Sequence, residues 1–199
     1  MNTMSAEQTQ VSYENARVNL ELSWRFYQMS EVINNMKTRR SIRKYKPDMI
    51  PEDVLNRIIE AGTYAATGMG KQSPIIIAVT NKEIRDKFSK MNAEIMGVDS
   101  DPFYGAPVVL IVLADKARPT YVYDGSLVMG NLMLAAHAEG IGSCWIHRAK
   151  ECFDTPEGKA LLRAWGVPEN YRGVGNCILG YAAEEPEAKP RKSGRIIKI

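Results

Sequence analysis

The sequence predicts a three-layer α/β or α+β sandwich, in which one sheet carries helices on both of its faces. Four short runs are apolar throughout and end at turn residues, as buried strands do: residues 75–80, 106–114, 143–146 and 173–179. Segments with helical periodicity alternate with them. Because such strands are apolar on both sides, both faces of the sheet need cover, and the helices must form two outer layers.

Four helical segments fill the intervals, at about residues 52–66, 82–96, 124–139 and 155–166. In the first, Pro51 suits the opening turn, and Glu52 and Asp53 complement the positive end of the helix dipole. The β-branched run 75–80 is expected to form a central strand. The segment 124–139 is apolar nearly all round, which predicts a helix in the centre of the fold or in a subunit interface.

Size and composition narrow the class of protein. A chain of 199 residues with 45% hydrophobic and 25% charged residues is typical of a water-soluble domain, alone or with one appendage. The net charge of +3 is too small to indicate a nucleic acid or a membrane surface as partner, and no apolar run is long enough to span a bilayer. The amino terminus lacks the order of a secretory signal, so a cytoplasmic location is expected.

The chain is predicted to have two parts. Residues 1–28 read as an N-terminal extension, a helical arm or a partly disordered segment, because polar residues 1–10 precede a stretch with apolar residues at helical spacing. Residues 29–199 are predicted to form the functional domain.

The cysteines predict reduced thiols in a cytoplasmic protein, since Cys144, Cys152 and Cys177 are odd in number and include no Cys-x-x-Cys pair. Cys144 and His147 make only half a metal site, and no metal is expected. The same two residues could serve as nucleophile and base. A free cysteine in an apolar strand is, however, usually core filler.

Cations cluster in the segment 38–45, where a short helix is expected to pass into an extended stretch. Arg39, Ser41 and Arg43 alternate, so in an extended backbone they point to one side, while Arg40 points to the other. Two guanidinium groups flanking a hydroxyl suit a phosphate, because Arg matches phosphate oxygens bidentately and Ser adds a neutral donor. The alternative is that these residues only end a helix and complement its dipole.

Four segments that carry cations or turn backbone follow one another along the chain. They are residues 39–45 (RRSIRKY), 65–74 (AATGMGKQSP), the helix 124–140 running into 141–146 (IGSCWI), and 180–181 (GY) followed by 189–192 (KPRK). Gly68 and Gly70 follow a helix rather than a strand, which disfavours a dinucleotide-binding turn. Each motif is weak alone, but together, over residues 29–199, the chain resembles the nitroreductase family of FMN-dependent NAD(P)H oxidoreductases.

The resemblance implies an α+β three-layer α/β/α sandwich of the nitroreductase type, with a central mixed sheet and two active sites at the interface of an intertwined homodimer. It implies FMN as the cofactor. The residues implied for FMN binding are Arg39, Ser41, Lys189 and Arg191 at the phosphate, Arg40 as a further cofactor-binding residue, Arg43, Gln72 and Ser73 on the pyrimidine side, and Trp145, Ile146, His147 and Arg148 beside the ring near N5. A cation near N1 would stabilise the anionic reduced flavin.

The implied reaction takes hydride from NAD(P)H and passes it, by a ping-pong mechanism, to a nitroaromatic, quinone or enone-type acceptor. No side chain need be an obligatory acid or base, although His147 could donate a proton. Two alternatives stay open: a flavin-binding or carrier protein without turnover, and other flavin chemistry on the same fold, such as dehalogenation or flavin breakdown. The loop departs from the family pattern, because Gly70 stands where Asn is common and Ser73-Pro74 replace Pro-Trp, so one flavin contact is expected to pass to the backbone.

Overall fold

The structure of the protein, a computed structural model, describes residues 31–199. The chain divides into two compact units, residues 1–38 and residues 39–199. In the first unit, residues 31–38 are helical (α1), and the hydroxyl of Thr38 donates to the carbonyl oxygen of Asn34 at 2.8 Å. The predicted extension of residues 1–28 lies outside the described residues, so its boundary with the domain stays a prediction.

The second unit alternates helices and strands much as the sequence predicts. Its elements are α2 (Glu52–Thr63), β1 (Ile75–Val79), α3 (Lys82–Met96), β2 (Val108–Asp115), α4 (Tyr121–Ala138), β3 (Gly142–Ile146), α5 (Ala149–Asp154), α6 (Pro156–Ala164) and β4 (Tyr171–Gly180). The eight predicted elements are confirmed, with ends that shift by a few residues. Helix α5 was not predicted, because six residues are too few to show helical periodicity.

The four strands form one sheet in the order β1-β2-β4-β3, and each neighbouring pair is antiparallel. These four strands therefore do not form the mixed sheet that the resemblance implies, and a parallel contact occurs only as an isolated bridge between Ser41 and Ser143 among the described residues. The expectation that residues 75–80 form a central strand is wrong, since β1 lies at an edge and four of its five residues are not fully buried. An apolar run in the sequence indicates that both faces of the strand are covered, but it does not indicate how many strands pair with it.

Helices cover both faces of the sheet, so the predicted sandwich is confirmed. On one face, α2 and α4 pack against residues such as Leu110, Val112 and Leu179. On the other, α3, α5 and α6 enclose a cluster that includes Ile111 and Ile178. Each strand thus contributes alternate side chains to two separate cores.

Helix α4 is partly central and partly exposed. Val128, Met129, Leu132 and Ala136 are buried against the sheet side. A side chain at Gly125 would lie 2.7 Å from Val174 of β4, so glycine is needed where the helix crosses the strand. Outside this buried stripe, α4 exposes three large apolar residues: Val122, Tyr123 and Leu127 are 45%, 71% and 51% accessible. Within residues 31–199, α4 therefore has more apolar side chains than the protein buries.

Two further observations bear on the class of protein. Cys144, Cys152 and Cys177 are free and buried, which confirms the prediction of reduced thiols. Within residues 31–199, no helix combines the length and apolar character needed to cross a membrane.

Candidate functional site

The cationic segment 39–45 is held extended between two other stretches of backbone. On one side, the Ile42 amide donates to the Ser143 carbonyl of β3 at 3.0 Å. On the other, the Lys46 amide donates to the Tyr181 carbonyl at 2.9 Å, and the Ala183 amide donates to the Lys44 carbonyl at 2.9 Å. The segment is thereby fixed against the sheet by backbone bonds that do not depend on its own cationic side chains.

One nitrogen of the Arg39 guanidinium is shielded from water and makes no hydrogen bond. Its Nη1 is buried and has no hydrogen-bond partner, as is the case for Oγ of Ser143 on the paired strand. Arg40 turns back instead, and its Nη1 donates to the Arg39 carbonyl at 2.8 Å. Burial, together with Arg39 and Arg40, lowers the pKa of His137 near the end of α4. A buried guanidinium nitrogen without an acceptor would be satisfied by a bound anion, which supplies both the acceptor and the opposite charge.

Ser41 and Arg43 lie on one side of the segment, beside Cys144. Burial raises the pKa of the Cys144 thiol, while Arg43 and a hydrogen bond with Ser41 act in the opposite direction without outweighing it. Cys144 is 2% accessible, and its Sγ lies 3.7 Å from the Trp145 carbonyl oxygen. A protonated, buried thiol with no described hydrogen bond to His147 disfavours the nucleophile alternative.

A cavity of about 190 Å³ opens next to this segment. Arg43 forms one wall, residues 144–148 form a second, and loop residues 100–104 form a third, with Tyr104 at φ 52°. Tyr104 was not predicted as a site residue, because its sequence signal is limited to its place before Gly105 in a loop rich in Asp, Gly and Pro.

The one carboxylate in the cavity wall, Asp101, is occupied by hydrogen bonds to other groups of the protein. It accepts from the Arg85 guanidinium, the Ser89 hydroxyl, and the amides of Phe103 and Gly105. Burial raises the pKa of Asp101, but these bonds outweigh burial and leave the pKa below its usual value. The net field that the cavity presents to a ligand therefore comes from its cations, Arg43 among them.

The turn that ends β3 is strained and tightly held. Arg148 adopts a left-handed conformation at φ 76°. The carbonyl of the preceding residue, His147, accepts from the amides of Asn92 at 2.9 Å and Asn176 at 3.3 Å, and both asparagines are fully buried. Such strain persists only where the surroundings fix the backbone. Sequence reasoning missed both asparagines, since each lies in a different element and nothing local marks it.

The predicted residues at this turn all line the cavity, and two of them are also packed in the cores of the sheet. The His147 side chain is exposed, and the side chain of Ile146 is buried in the core on the α3 face. The ring of Trp145 packs on the opposite face, where a side chain at Gly175 would lie 2.8 Å from it. Trp145 and Ile146 therefore reach the cavity from positions that the sheet core fixes.

Gln72 and Ser73 lie at the other end of α4. The loop before β1 is anchored by Asp124, whose Oδ1 accepts from the Gly68 amide at 2.9 Å. Gln72 adopts φ 49°, with its amide donating to Thr67 Oγ1 at 2.9 Å. Gln72 lines a separate cavity of about 410 Å³, and Oγ of Ser73 is buried without a partner. One copy of the chain therefore does not bring Gln72 to the cavity that Arg43 lines.

Lys189 and Arg191 lie in the exposed carboxyl-terminal segment that follows β4. Among the contacts of residues 31–199, none joins these two cations to Arg39 or Ser41. Their predicted place at a phosphate stays a prediction.

The chain is similar in sequence to proteins of one known family. The profile of the nitroreductase family matches residues 36–99 and 93–181. A relative from Methanothermobacter thermautotrophicus, provisionally named NADH dehydrogenase/NAD(P)H nitroreductase, is 31% identical over 165 residues, which cover 78% of this chain and 80% of the relative. The NADPH-flavin oxidoreductase of Vibrio harveyi is 27% identical over 180 residues, which cover 85% of this chain and 73% of that protein.

A solved structure gives the same result for the fold. The nitroreductase of Bacteroides fragilis with bound FMN is similar to this chain with a TM-score of 0.77 and 33% identity, over 85% of this chain and 98% of its own. The profile match includes the cationic segment, the loop before β1 and the turn after β3. The resemblance is thereby confirmed, and the chain belongs to the nitroreductase family.

Proposed function

We propose that the protein is an FMN-dependent oxidoreductase that takes hydride from NAD(P)H and passes it, by a ping-pong mechanism, to a nitroaromatic, quinone or enone-type acceptor. Membership of the family supports this, as do the name of the Vibrio harveyi relative and the FMN bound in the Bacteroides fragilis structure. When bound, FMN would supply the two-electron chemistry. The protein would supply binding, orientation and charge.

The observation that carries this proposal is the buried, unpartnered guanidinium nitrogen of Arg39. Arg39 as a whole is only half-buried, but this one donor nitrogen is buried and lacks the acceptor that such a donor normally has. A phosphate supplies the missing acceptor oxygens. The residues present therefore fit the phosphate of FMN, with Ser41 and the unpartnered hydroxyl of Ser143, which face each other in a parallel bridge, as neutral groups.

The remaining roles follow the order of the segment. Arg39 and Ser41 would bind the phosphate, with Lys189 and Arg191 adding positive charge. Arg43, two residues further along the extended backbone, lines the neighbouring cavity and would face the pyrimidine side of the ring. A cation there stabilises negative charge that develops on the ring.

The His147–Arg148 turn would lie beside the flavin ring, on the side opposite Arg43. Because Asn92 and Asn176 hold the His147 carbonyl, the backbone is fixed, whereas the imidazole is exposed. His147 is therefore our candidate for a proton donor to the acceptor.

We also propose that the protein is a homodimer whose interface includes α4. Besides the exposed apolar residues of α4, Tyr64 at the end of α2 and Met69 in the loop that follows it are also exposed. An apolar surface of this kind is typical of an obligate interface rather than of a solvated helix.

A dimer would also explain why the site residues are divided between the two ends of α4. Asp124 anchors the loop of Gln72 at the amino end, and His137 lies near Arg39 at the carboxyl end. Thirteen helical residues separate these ends by about 20 Å. If two copies of α4 pack antiparallel, the loop of one copy comes next to the cationic segment of the other. Light scattering on the flavin-loaded protein tests this, and a monomeric mass at micromolar concentration would contradict it.

The visible spectrum of the purified protein tests the cofactor, and its response to reduced nicotinamide tests the reaction. We expect flavin absorbance that NADH or NADPH bleaches without air and that an added nitroaromatic or quinone restores. Bound flavin that neither nicotinamide bleaches would instead support a carrier without turnover. Bleaching without recovery on any of these acceptors would point to other flavin chemistry, such as dehalogenation.

The location follows from the thiols. Three free, buried cysteines suit a reducing compartment, and we propose that the protein works in the cytoplasm.

A further inference from the structure

A second cavity, of about 390 Å³, lies where β4 begins, between α5, α6 and the turn after β2. It is distinct from the candidate flavin site, with which it shares no lining residue. Strand β3 borders the flavin site and pairs with β4 only from Asn176 onwards, whereas the second cavity is lined by Tyr171 and Arg172. The five residue steps from Tyr171 to Asn176 span about 16 Å of strand.

The wall of this second cavity carries more positive than negative charge. Its cations are Lys116, Lys159, Arg163 and Arg172, and its acids are Asp154 and Glu169. Arg172 and Asp154 pair with each other at 2.7 Å. No carboxylate within residues 31–199 lies at ion-pair distance from the other three cations. Apart from the Arg172–Asp154 pair, the wall thus contains one acid, Glu169, and three cations that form no ion pair with the described residues. This excess of positive charge favours binding of an anion.

The floor of the cavity is apolar and aromatic. Phe153 and Leu162 are buried beneath it, and Val167 and Tyr171 are partly exposed along it. The Phe153 ring stacks on Phe88 with centroids 5.1 Å apart, and meets Trp165 edge-on at 6.1 Å. A rigid aromatic floor favours a flat apolar group over a fully hydrated ion.

The walls are fixed before any ligand arrives. The Lys116 amide donates to the Asn170 carbonyl at 2.9 Å, which ties the turn after β2 to the turn before β4. The Val167 amide donates to the Leu162 carbonyl at 2.9 Å, which closes the end of α6. A ligand would therefore not have to order these segments, and the volume lies within the range of about 300 to 1,000 Å³ typical of small-molecule pockets.

We propose that this cavity binds a small aromatic carboxylate, with its ring on the Phe153 and Val167 floor and its charge at the cationic rim of Lys159 and Arg163. An inorganic anion would leave the apolar floor in water, and a neutral aromatic would leave the cations uncompensated. Only a ligand with both features satisfies the whole wall.

The test is calorimetric titration of the full-length protein, as purified with its cofactor, with 1-naphthoate and with its neutral isostere 1-naphthamide. We expect saturable binding of 1-naphthoate at one site per chain, and binding of the amide weaker by about tenfold or more. Equal affinity for the acid and the amide would overturn the proposal, because the cations would then contribute nothing.

Three variants locate the binding site. Lys159→Glu/Arg163→Glu reverses two exposed cations at the rim and should weaken 1-naphthoate by about tenfold or more. The matched control Lys90→Glu/Lys198→Glu changes the net charge equally elsewhere and should leave the affinity unchanged. Val167→Glu, at a partly exposed position, puts an acid on the floor and should also weaken binding.

The flavin spectrum separates this site from the one proposed above. Binding in the second cavity should leave the flavin absorbance unchanged. An affinity that the rim variant does not alter, accompanied by a shift in flavin absorbance, would place the probe at the flavin site and overturn the proposal. A protein purified without flavin would refute the proposed function, yet the titration and its variants would still decide this inference.

Discussion

The two ends of α4 both hold segments of the candidate site, but by different means. At the carboxyl end, backbone hydrogen bonds to β3 and to the segment after β4 fix residues 39–45 on both sides. At the amino end, the loop 67–73 is anchored by one buried carboxylate, Asp124, which accepts from the Gly68 amide and the Thr120 hydroxyl. The loop also contains three residues with positive φ: Met69, Gly70 and Gln72.

Because of this difference, the residues expected to bind the ligand at one end of α4 are not those that stabilise the fold at the other end. Backbone pairing does not require any particular side chain, so the cations of residues 39–45 can serve a ligand without supporting the fold. The loop instead depends on Asp124, whose loss would leave a partly buried amide without an acceptor. Substitutions at the amino end should therefore reduce stability, and substitutions at the carboxyl end should reduce ligand affinity.

The largest effect is expected for Asp124→Ala. It removes two hydrogen bonds to a buried carboxylate and should lower the free energy of unfolding by about 3 kcal/mol, since bonds to charged groups contribute about 1.5 to 3 kcal/mol each. Urea denaturation followed by circular dichroism measures this. Asp99→Ala, at an exposed loop position, is the matched control and should change stability by less than about 0.5 kcal/mol. Equal stability of the two variants would show that the loop does not depend on Asp124.

Arg39→Ala should leave the stability nearly unchanged, because its buried Nη1 has no partner to lose. Its affinity for FMN should fall by about 1.5 to 3 kcal/mol, or roughly ten- to a hundredfold. Riboflavin, which has no phosphate, should bind both proteins alike in fluorescence titrations. Arg40→Ala should affect either ligand less. Equal weakening of FMN and riboflavin by Arg39→Ala would make Arg39 a residue of the fold rather than of the phosphate site.

Arg43→Gln should lower the two-electron midpoint potential of the bound flavin by about 10 to 30 mV, where 30 mV corresponds to about 1.4 kcal/mol. The physical reason is that the guanidinium in the cavity wall stabilises the anionic reduced ring. Titration against redox dyes at saturating FMN measures the potential. An unchanged potential would leave Arg43 a surface charge, with no part in the redox site.

The smallest effect is expected at Gly70, which has φ 64° and open space where a side chain would begin. Gly70→Asn restores the residue common in the family, and Asn tolerates this conformation, so stability should change by less than about 1 kcal/mol. One added side-chain bond could tighten FMN by up to roughly tenfold. Gly70→Val, which is β-branched, should cost more stability. If Asn is as costly as Val, backbone strain rather than ligand contact determines this position.

Much of the fold could be predicted from the sequence. Apolar runs marked the four strands, and the helix positions followed from periodicity and from residues such as Pro51 and Pro156 at first turns. The free thiols were also predicted. Helix α5 and the edge position of β1 were not, since six residues carry little periodic signal and pairing partners lie far away in sequence.

The site was predictable only in part. The alternation in residues 39–45 predicted that Ser41 and Arg43 share one side of the segment, and the structure places both beside Cys144. Three features left no local signal, because each depends on elements that are distant in sequence: the buried Nη1 of Arg39, the strained conformation of Arg148, and the amide pair Asn92 and Asn176.

The sequence by itself determined which side chains share a face and that both faces of the sheet are covered, because side-chain direction follows from helix and strand periodicity within a few residues. The tertiary structure alone decided the strand order and the separation of Gln72 from Arg43 along α4. It also decided which polar atoms are buried without partners. Each of these depends on contacts between residues far apart in the chain, and local periodicity carries no information about such pairing.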